Sequence, residues 1–270
     1  MTRQLELTRA VFARVGYALR RRSEALLAIS APVIFLIVLI SAGVAGVITR
    51  MPPPSSMRTI EYVQSAEIVV LIVQWMLAFF AFGALASFAA GERSVAECWR
   101  AALRHWKALL ALALLCWIFW FGLSLTRPLL ARRAIPALAQ PAAVYGWTVA
   151  SLLLVLALST CVPHRMRAPI SAMDALANSM RFSGSDYFVR LLIAVVFVVL
   201  PQAAIQGTTI ALQKHLQNLR QTDPQKLSAW ANWGRAYLFG SFLITLLMIF
   251  IGLYALSVLY ELREKPQEEV

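Results

Sequence analysis

The chain has 270 residues, of which 60% are hydrophobic and 14% charged, and its formal net charge at pH 7 is +12. A soluble domain needs a polar shell and usually has about 25% charged residues, so this composition excludes an ordinary soluble fold and requires apolar surface that faces lipid. The positive charge alone would suit nucleic acid. The basic residues cluster instead at the ends of apolar segments, as expected beside an anionic membrane surface.

Apolar segments of roughly 20 residues, long enough to cross a bilayer, recur along the chain. They predict six transmembrane helices, at 25–48, 67–90, 107–126, 142–162, 188–206 and 236–260. The first segment follows a long basic leader and exceeds a typical signal core. The small residues from Ala42 to Gly46 resemble a cleavage site and leave a signal peptide as the alternative interpretation.

The distribution of Lys and Arg predicts that both chain ends lie in the cytoplasm, because the cytoplasmic side of a membrane protein carries the larger number. The leader alone contributes a large share, namely Arg3, Arg9, Arg14, Arg20, Arg21 and Arg22. Within the last outer loop, Asp223-Pro224 offers a helix N-cap followed by Pro at the first helical position, which predicts one or two short helices at the outer surface.

Residues 94–106 predict an amphipathic helix that lies in the inner interface and leads into the third span. Its apolar stripe recurs at helical spacing, with Val95, Cys98, Trp99, Ala102, Leu103 and Trp106. Ser94 and Glu97 predict a capping box at its start. Arg100 and Arg104 fall on the opposite, polar face.

Residues 171–182 repeat this pattern before the fifth span. Ser171, Asp174 and Arg181 match Ser94, Glu97 and Arg104 at the same spacing. The predicted apolar face consists of Met173, Leu176, Ala177 and Met180. The leader suggests a third, degraded copy, whose apolar stripe would be Leu5, Phe12, Val15 and Leu19.

The predicted fold is therefore all-α, a polytopic membrane protein with six transmembrane helices in three repeats of an interfacial amphipathic helix plus two spans. The units cover about 4–90, 94–162 and 171–260 within one transmembrane domain at 1–260, and 261–270 forms a short polar cytoplasmic tail. Because each unit has an even number of spans, the repeats are parallel.

The motif Ser-x-x-Glu-Cys-Trp-Arg-Ala-Ala-Leu-Arg-His-Trp, which begins at Ser94, and its echo before the fifth span resemble a set of uncharacterised bacterial six-helix membrane proteins. Those proteins look related to the membrane domain fused to some glycerophosphodiester phosphodiesterases. The resemblance covers roughly 94–110 and 168–195 in detail and implies a bacterial inner-membrane protein. No catalytic residue of that family can be carried over, because the chain has no phosphodiesterase domain.

The polar residues within the spans allow two interpretations. Gln74, Gln202 and Gln206 are expected either to form interhelical hydrogen bonds or to line a substrate path in the outer half of the membrane. Charged residues at span ends, such as Lys107 and Arg190, are expected to reach the interface. The cysteines Cys98, Cys116 and Cys161 are expected to behave as small apolar residues. No catalytic, metal-binding or cofactor-binding pattern was found, so no enzyme activity is expected.

Two functions follow from these patterns. The first is a non-enzymatic structural or accessory subunit of a membrane assembly, with a protein partner or a second copy docked on small-residue faces at Gly43/Gly46 and Ala81/Gly83/Ala84/Ala86. The alternative is a protein that handles lipids or small solutes. Such a protein would hold anionic lipid headgroups with a basic collar at the cytoplasmic side, which consists of Arg20, Arg21, Arg22, Arg104 and Arg181. The positive-inside rule alone would also place basic residues there.

Overall fold

A computed structural model of the chain describes residues 2–48, 57–91, 94–132, 156–181, 184–222 and 224–264. These ranges are almost entirely helical and contain no strand. The helices are α1 (Thr2–Arg21), α2 (Ser23–Ile48), α3 (Met57–Ala89), α4 (Val95–Arg104), α5 (Trp106–Arg132), α6 (Cys161–Arg167), α7 (Ala172–Met180), α8 (Gly184–Ala194), α9 (Leu200–Thr222) and α10 (Pro224–Glu264).

Four helical stretches within the described ranges are long and apolar enough to cross a membrane: Ser23–Val44, Ile68–Ala89, Asp186–Leu219 and Asn232–Glu264. They coincide with the first, second, fifth and sixth predicted spans. The third predicted span lies within α5, and α4 with α5 could form a fifth crossing that bends by 72°. The fourth predicted span, 142–162, lies mostly outside the described residues. The chain is a helical membrane protein.

Helix α3 is the central helix of the described bundle, and it packs against α2, α4, α5, α6 and α10. Every residue from Ala81 to Ala89 is buried. This stretch contains the small residues Gly83, Ala84 and Ala86, which let neighbouring backbones approach closely. An added Cβ at Gly83 would lie 2.8 Å from Leu109 Cδ1 and 3.4 Å from Ala102 Cβ. One of the two predicted docking faces is therefore used inside the chain.

Helix α1 packs along α10 and α8 rather than standing apart from the bundle. Its buried residues are Val11, Val15 and Ala18, whereas the predicted stripe residues Leu5 and Leu19 are exposed. The Arg14 guanidinium donates a hydrogen bond of 3.1 Å to the carbonyl oxygen of Ala89. A cation at the end of α3 is favourable, because the last carbonyls of a helix lack partners and carry partial negative charge.

The predicted capping box at the start of α4 is confirmed. The Glu97 N–H donates to the Ser94 side chain, and the Ser94 N–H donates to the Glu97 carboxylate at 2.9 Å. Cys98 and Ala102 of the predicted stripe are buried. Helix α4 turns sharply into α5 at His105.

Only part of the predicted apolar face of α7 packs against the rest of the protein. Ser171 is the N-cap as expected, accepting a hydrogen bond from the Asp174 N–H at 3.1 Å. The buried face, however, consists of Ala175, Leu176 and Ser179, whereas Met173, Ala177 and Met180 are exposed. Ser179 faces inward because its hydroxyl is fully used within the protein, as described below.

A π-helical turn at Val195–Val199 joins α8 to α9, directly before Pro201. Proline has no N–H to donate and crowds the carbonyl one turn earlier, so a local widening of the helix relieves that crowding. The turn brings Phe197 against Gly252, where an added Cβ would lie 3.1 Å from the Phe197 Cβ. Phe197 also stacks on Phe12 of α1, with ring centroids 6.0 Å apart.

The predicted short surface helices in the last outer loop do not form in the described residues. Helix α9 instead continues to Thr222, and α10 begins at Pro224 as the Pro predicted. Gly207 lies inside α9 and does not end it. The Thr208 and Thr209 hydroxyls donate to carbonyls of the preceding turn. Leu212 packs against Gly234, so α9 and α10 form a helical hairpin. At its other end α10 reaches Glu264, past the predicted start of the tail at 261.

The close approach at Gly83 gives a stability prediction. We expect Gly83→Leu to lower the free energy of unfolding by about 1–3 kcal/mol, because the new side chain must displace Leu109 and Ala102 from a packed core. The matched control is Gly43→Leu, since an added Cβ at Gly43 meets no atom within 4 Å. Thermal unfolding of the purified proteins in detergent compares them, and equal losses in both variants would contradict this packing.

Candidate functional site

Buried charges gather at one end of the bundle, called the polar end below. Here the start of α8, the end of α10 and helices α6 and α7 meet. Asp186, Arg190 and Glu261 are only 2–3% exposed there. Buried charges are costly unless they are paired and hydrogen-bonded, so the partners of these three side chains determine whether this end can fold.

Asp186 and Arg263 form an ion pair that joins α8 to α10. The distance from Arg263 Nη1 to Asp186 Oδ2 is 2.7 Å, and Arg263 remains partly exposed. Asp186 also has a favourable electrostatic interaction with Arg190, which lies one turn later on α8. As an acid in the first turn of α8, it is further favoured by the helix dipole.

Arg190 joins α8 to two other segments. Its Nη1 donates to the carbonyl oxygens of Leu156 and Ser179, each at 3.3 Å. The Ser179 hydroxyl donates to the Ala157 carbonyl at 2.5 Å and accepts the Thr160 N–H at 3.1 Å. The expectation that Arg190 reaches the interface is therefore wrong, because these carbonyls hold it inside the protein.

A second ion pair joins α6 to α10. Arg167 Nε donates to Glu261 Oε1 at 2.6 Å, and the guanidinium also contacts Glu261 Oε2. Beside it, the His164 ring meets Tyr260 edge to face, with centroids 4.6 Å apart. Burial lowers the pKa of His164 to about 4, with Arg190 and Arg263 contributing. His164 is therefore neutral at physiological pH.

The five arginines of the predicted basic collar lie at or next to the ends of α1, α4 and α7. Arg20 and Arg21 end α1 and are exposed, and Arg22 is half-buried at the junction with α2. Arg104 ends α4 and Arg181 follows α7, and both are exposed. The three consecutive arginines therefore form one cluster by chain position, called the Arg20–Arg22 cluster below.

The three predicted intramembrane glutamines differ in their surroundings. Gln74 donates a hydrogen bond of 2.8 Å to the Ser41 hydroxyl and so connects α3 to α2. This bond matches the interhelical interpretation. Gln202 and Gln206 are exposed on α9. The structure thus gives Gln74 a partner other than Gln202.

An apolar cavity of about 210 Å³ adjoins the Arg20–Arg22 cluster. It lies between α2, α3 and α10, and Leu19 and Ser23, which flank the three arginines in the chain, line it. Its other lining residues include Leu26, Ser30, Leu85 and Phe250. The Ser30 hydroxyl donates to the Leu26 carbonyl at 2.7 Å, so the wall is effectively apolar.

A shallow groove on α1 reaches the same arginines from the other side. It is lined by Phe12, Gly16, Tyr17, Arg20 and Arg21. The arginines thus contribute to a largely apolar groove and follow or precede, in the chain, residues that line the apolar cavity. Such a site can hold a molecule with an anionic head and an apolar tail.

Sequence reasoning missed Asp186 and Glu261. The spacing of Asp186 and Arg190, four residues apart at the start of a span, was the available signal, because such pairs lie on one helix face. Nothing local marks Glu261, since its partner Arg167 lies far away in the chain. In the described part of the chain, no group of three or more His, Cys, Asp or Glu side chains comes together to hold a metal ion.

Comparisons of the chain with models of protein families, with curated proteins and with solved structures found no match.

The buried charges give a second stability prediction. We expect Asp186→Asn to lower the free energy of unfolding by about 3 kcal/mol or more, because it leaves Arg190 buried and removes the partner of Arg263. Glu24→Gln is the control, because Glu24 is exposed on α2 and its loss is expected to change stability by less than about 0.5 kcal/mol. Chemical denaturation in detergent measures both, and a small effect of Asp186→Asn would argue against this pairing.

The lowered pKa of His164 predicts a dependence of stability on pH. As the pH falls below 6.5, the unfolded chain protonates this histidine before the folded protein does, so stability declines down to about pH 4. We expect His164→Gln to lose less stability than the unmodified protein between pH 7.5 and pH 5. Melting temperatures at the two pH values test this expectation. The control is His215→Gln, at an exposed site on α9, which is expected to lose as much stability as the unmodified protein between these pH values.

Proposed function

We propose that this chain is a non-enzymatic membrane protein that binds an anionic lipid at the cytoplasmic leaflet, with the Arg20–Arg22 cluster holding the headgroup. The observation that carries the proposal is the apolar cavity lined by Leu19 and Ser23, directly beside these arginines. Its volume of about 210 Å³ exceeds the roughly 150 Å³ of a cavity that accepts benzene. Part of an acyl chain therefore fits below the headgroup.

The proposal includes the topology that this role requires. Six spans, three parallel repeats and cytoplasmic chain ends in a bacterial inner membrane would place the polar end, α4 and α7 in the inner leaflet. The hydrogen bond of Arg14 to Ala89 supports this arrangement, because it brings α1 and the end of α3 to one end of the bundle. Arg104 and Arg181 would then face the same anionic surface from α4 and α7.

Electrostatics supports an anionic rather than a zwitterionic lipid. Each basic residue near an anionic membrane surface contributes about 1 kcal/mol of attraction. The Arg20–Arg22 cluster has one acidic neighbour in the sequence, Glu24, on the next turn. A negatively charged headgroup would balance the remaining positive charge.

Lipid retention tests this function. We expect the triple replacement of Arg20, Arg21 and Arg22 with Gln to reduce retained anionic lipid at least tenfold, because it removes the proposed headgroup contacts. Replacing Arg104 and Arg181 with Gln is expected to cause a smaller loss. Lipids that co-purify with each variant in detergent are counted by mass spectrometry.

The control for net charge replaces three basic residues, Lys214, Lys226 and Arg235, with Gln, because all three are exposed in the α9–α10 hairpin away from the polar end. This control variant is expected to retain lipid like the unmodified protein. Equal amounts of retained anionic lipid in the triple variant and in the control would exclude a role of the Arg20–Arg22 cluster in holding the headgroup.

A structural or accessory subunit is the second candidate function, and the open face of α2 favours it. An added Cβ at Gly43 or at Gly46 would meet no atom within 4 Å. This small-residue face could accept a helix of a partner protein or of a second copy. Replacing both glycines with Leu would then release the chain from a larger assembly on a native gel, whereas an unchanged assembly would exclude this face.

A further inference from the structure

A second apolar cavity, of about 150 Å³, lies between α3, α5 and α10. Aromatic side chains form much of its wall, among them Trp75, Phe79 and Trp120. No charged side chain lines it, so the cavity has no group that would select one ligand over another. A cluster of cationic side chains at the corner between α4 and α5 is more specific.

This cluster consists of His105, Arg104 and Arg165 and is called the corner cluster below. His105 lies where α4 turns into α5, and it interacts electrostatically with Arg165 of α6 and with Arg104 at the end of α4. Burial lowers the pKa of His105, and both arginines lower it further. His105 is therefore neutral at physiological pH, and the two guanidinium groups give the corner cluster a net charge of about +2.

Backbone hydrogen bonds hold the corner in one conformation. The path of the chain bends there by 72°. The His105 N–H donates to the Ala102 carbonyl at 3.1 Å, and the His105 carbonyl accepts the N–H groups of Ala108 and Leu109, each at 3.0 Å. The imidazole is thus attached at a fixed point between the end of one helix and the start of the next.

Neither arginine of the corner cluster is neutralised by a carboxylate in the described part of the chain. No ion pair there includes Arg104 or Arg165. Arg165 Nη1 donates to the Ala168 carbonyl at 3.3 Å, which holds this guanidinium at the end of α6. Arg104 is exposed, and His105 and Arg165 are partly exposed, so a ligand can reach all three. Because like charges repel, a bound anion would stabilise this arrangement.

The neighbours of the corner cluster in the chain are typical of a segment at the level of lipid headgroups. Leu103 and Trp106 are 57% and 48% exposed. The Lys107 ammonium lies 5.7 Å from the centroid of the Trp106 ring, within reach of a cation–π interaction. Exposed tryptophan and basic residues favour this level of a membrane. An anion can therefore come from the lipid headgroups or from the adjoining aqueous phase.

We propose that the corner cluster binds a phosphate monoester group, with Arg104 and Arg165 contacting its oxygens and His105 acting as a third donor. The planar donor groups of arginine match the oxygens of phosphate. A monoester carries nearly two negative charges at pH 7 and so balances both arginines, whereas a phosphate diester carries one. Phosphatidic acid and soluble phosphate esters both present this group. The proposal does not rest on the Arg20–Arg22 cluster.

The test follows the ionisation of His105 by NMR, in the full chain with isotope-labelled histidine rings. His105→Gln identifies the signal. The protein is placed in nanodiscs of phosphatidylcholine alone, or of phosphatidylcholine with either phosphatidic acid or phosphatidylglycerol, a diester, at equal surface charge. Inorganic phosphate is added to the phosphatidylcholine sample at constant ionic strength, as the soluble probe.

We expect bound phosphate to move the midpoint of the His105 titration upward by about one pH unit, because a nearby anion stabilises the protonated ring. A response to phosphatidic acid alone would assign a lipid ligand, and a response to inorganic phosphate would assign a soluble one. Phosphatidylglycerol is expected to cause less than about half of this change. Arg165→Gln is expected to lose the selective response, and the triple Gln variant of the Arg20–Arg22 cluster is expected to keep it.

Responses to phosphatidic acid and inorganic phosphate that are no larger than the response to phosphatidylglycerol would overturn the proposal, because general surface charge would explain them. An unchanged selective response in Arg165→Gln would overturn it as well. The comparison of ligands uses the unmodified protein, so it holds even if a variant folds poorly. Loss of lipid retention in the triple variant, with the His105 response intact, would separate this site from the proposed lipid site.

Discussion

The pairing of buried charges at the polar end is the constraint on which the rest of this structure depends. Asp186, Arg190 and Glu261 are almost completely removed from solvent. Each needs a partner from a different helix, and their partners fix α6, α7, α8 and α10 relative to one another. A pair of this kind adds little stability over an apolar equivalent, but the loss of one member is costly. The charges therefore specify which helices meet, and apolar packing supplies most of the free energy.

The same arrangement shapes both cavities. Helix α3 passes through the centre of the bundle with a fully buried stretch at Ala81–Ala89, and Arg14 fixes α1 at its end. One cavity opens on the side of α3 that faces α2, beside the Arg20–Arg22 cluster, and the other lies towards α5. An apolar cavity beside the Arg20–Arg22 cluster and an aromatic-lined cavity thus share one central helix and α10.

Much of the fold follows from local sequence, but the buried site does not. Long apolar segments gave four of the spans, and the Ser94–Glu97 pair gave a capping box, because these signals depend on neighbouring residues. Hydrophobicity does not predict that Ser179 is buried on α7, because the partners of Ser179 come from residues 157 and 160. Arg190 was expected at the interface because local sequence does not show its carbonyl partners, which lie in other segments of the chain. The cavities form where neighbouring helices diverge, and the hydrophobic periodicity of a single helix does not predict how far it lies from its neighbours.

The central claim is that the chain holds an anionic lipid at a defined site. Native mass spectrometry of the chain, extracted with its surrounding membrane in polymer nanodiscs, tests it most directly. We expect a lone chain that retains one class of anionic lipid at fixed stoichiometry. A stable additional protein mass with no retained lipid would contradict it and would identify an accessory subunit instead.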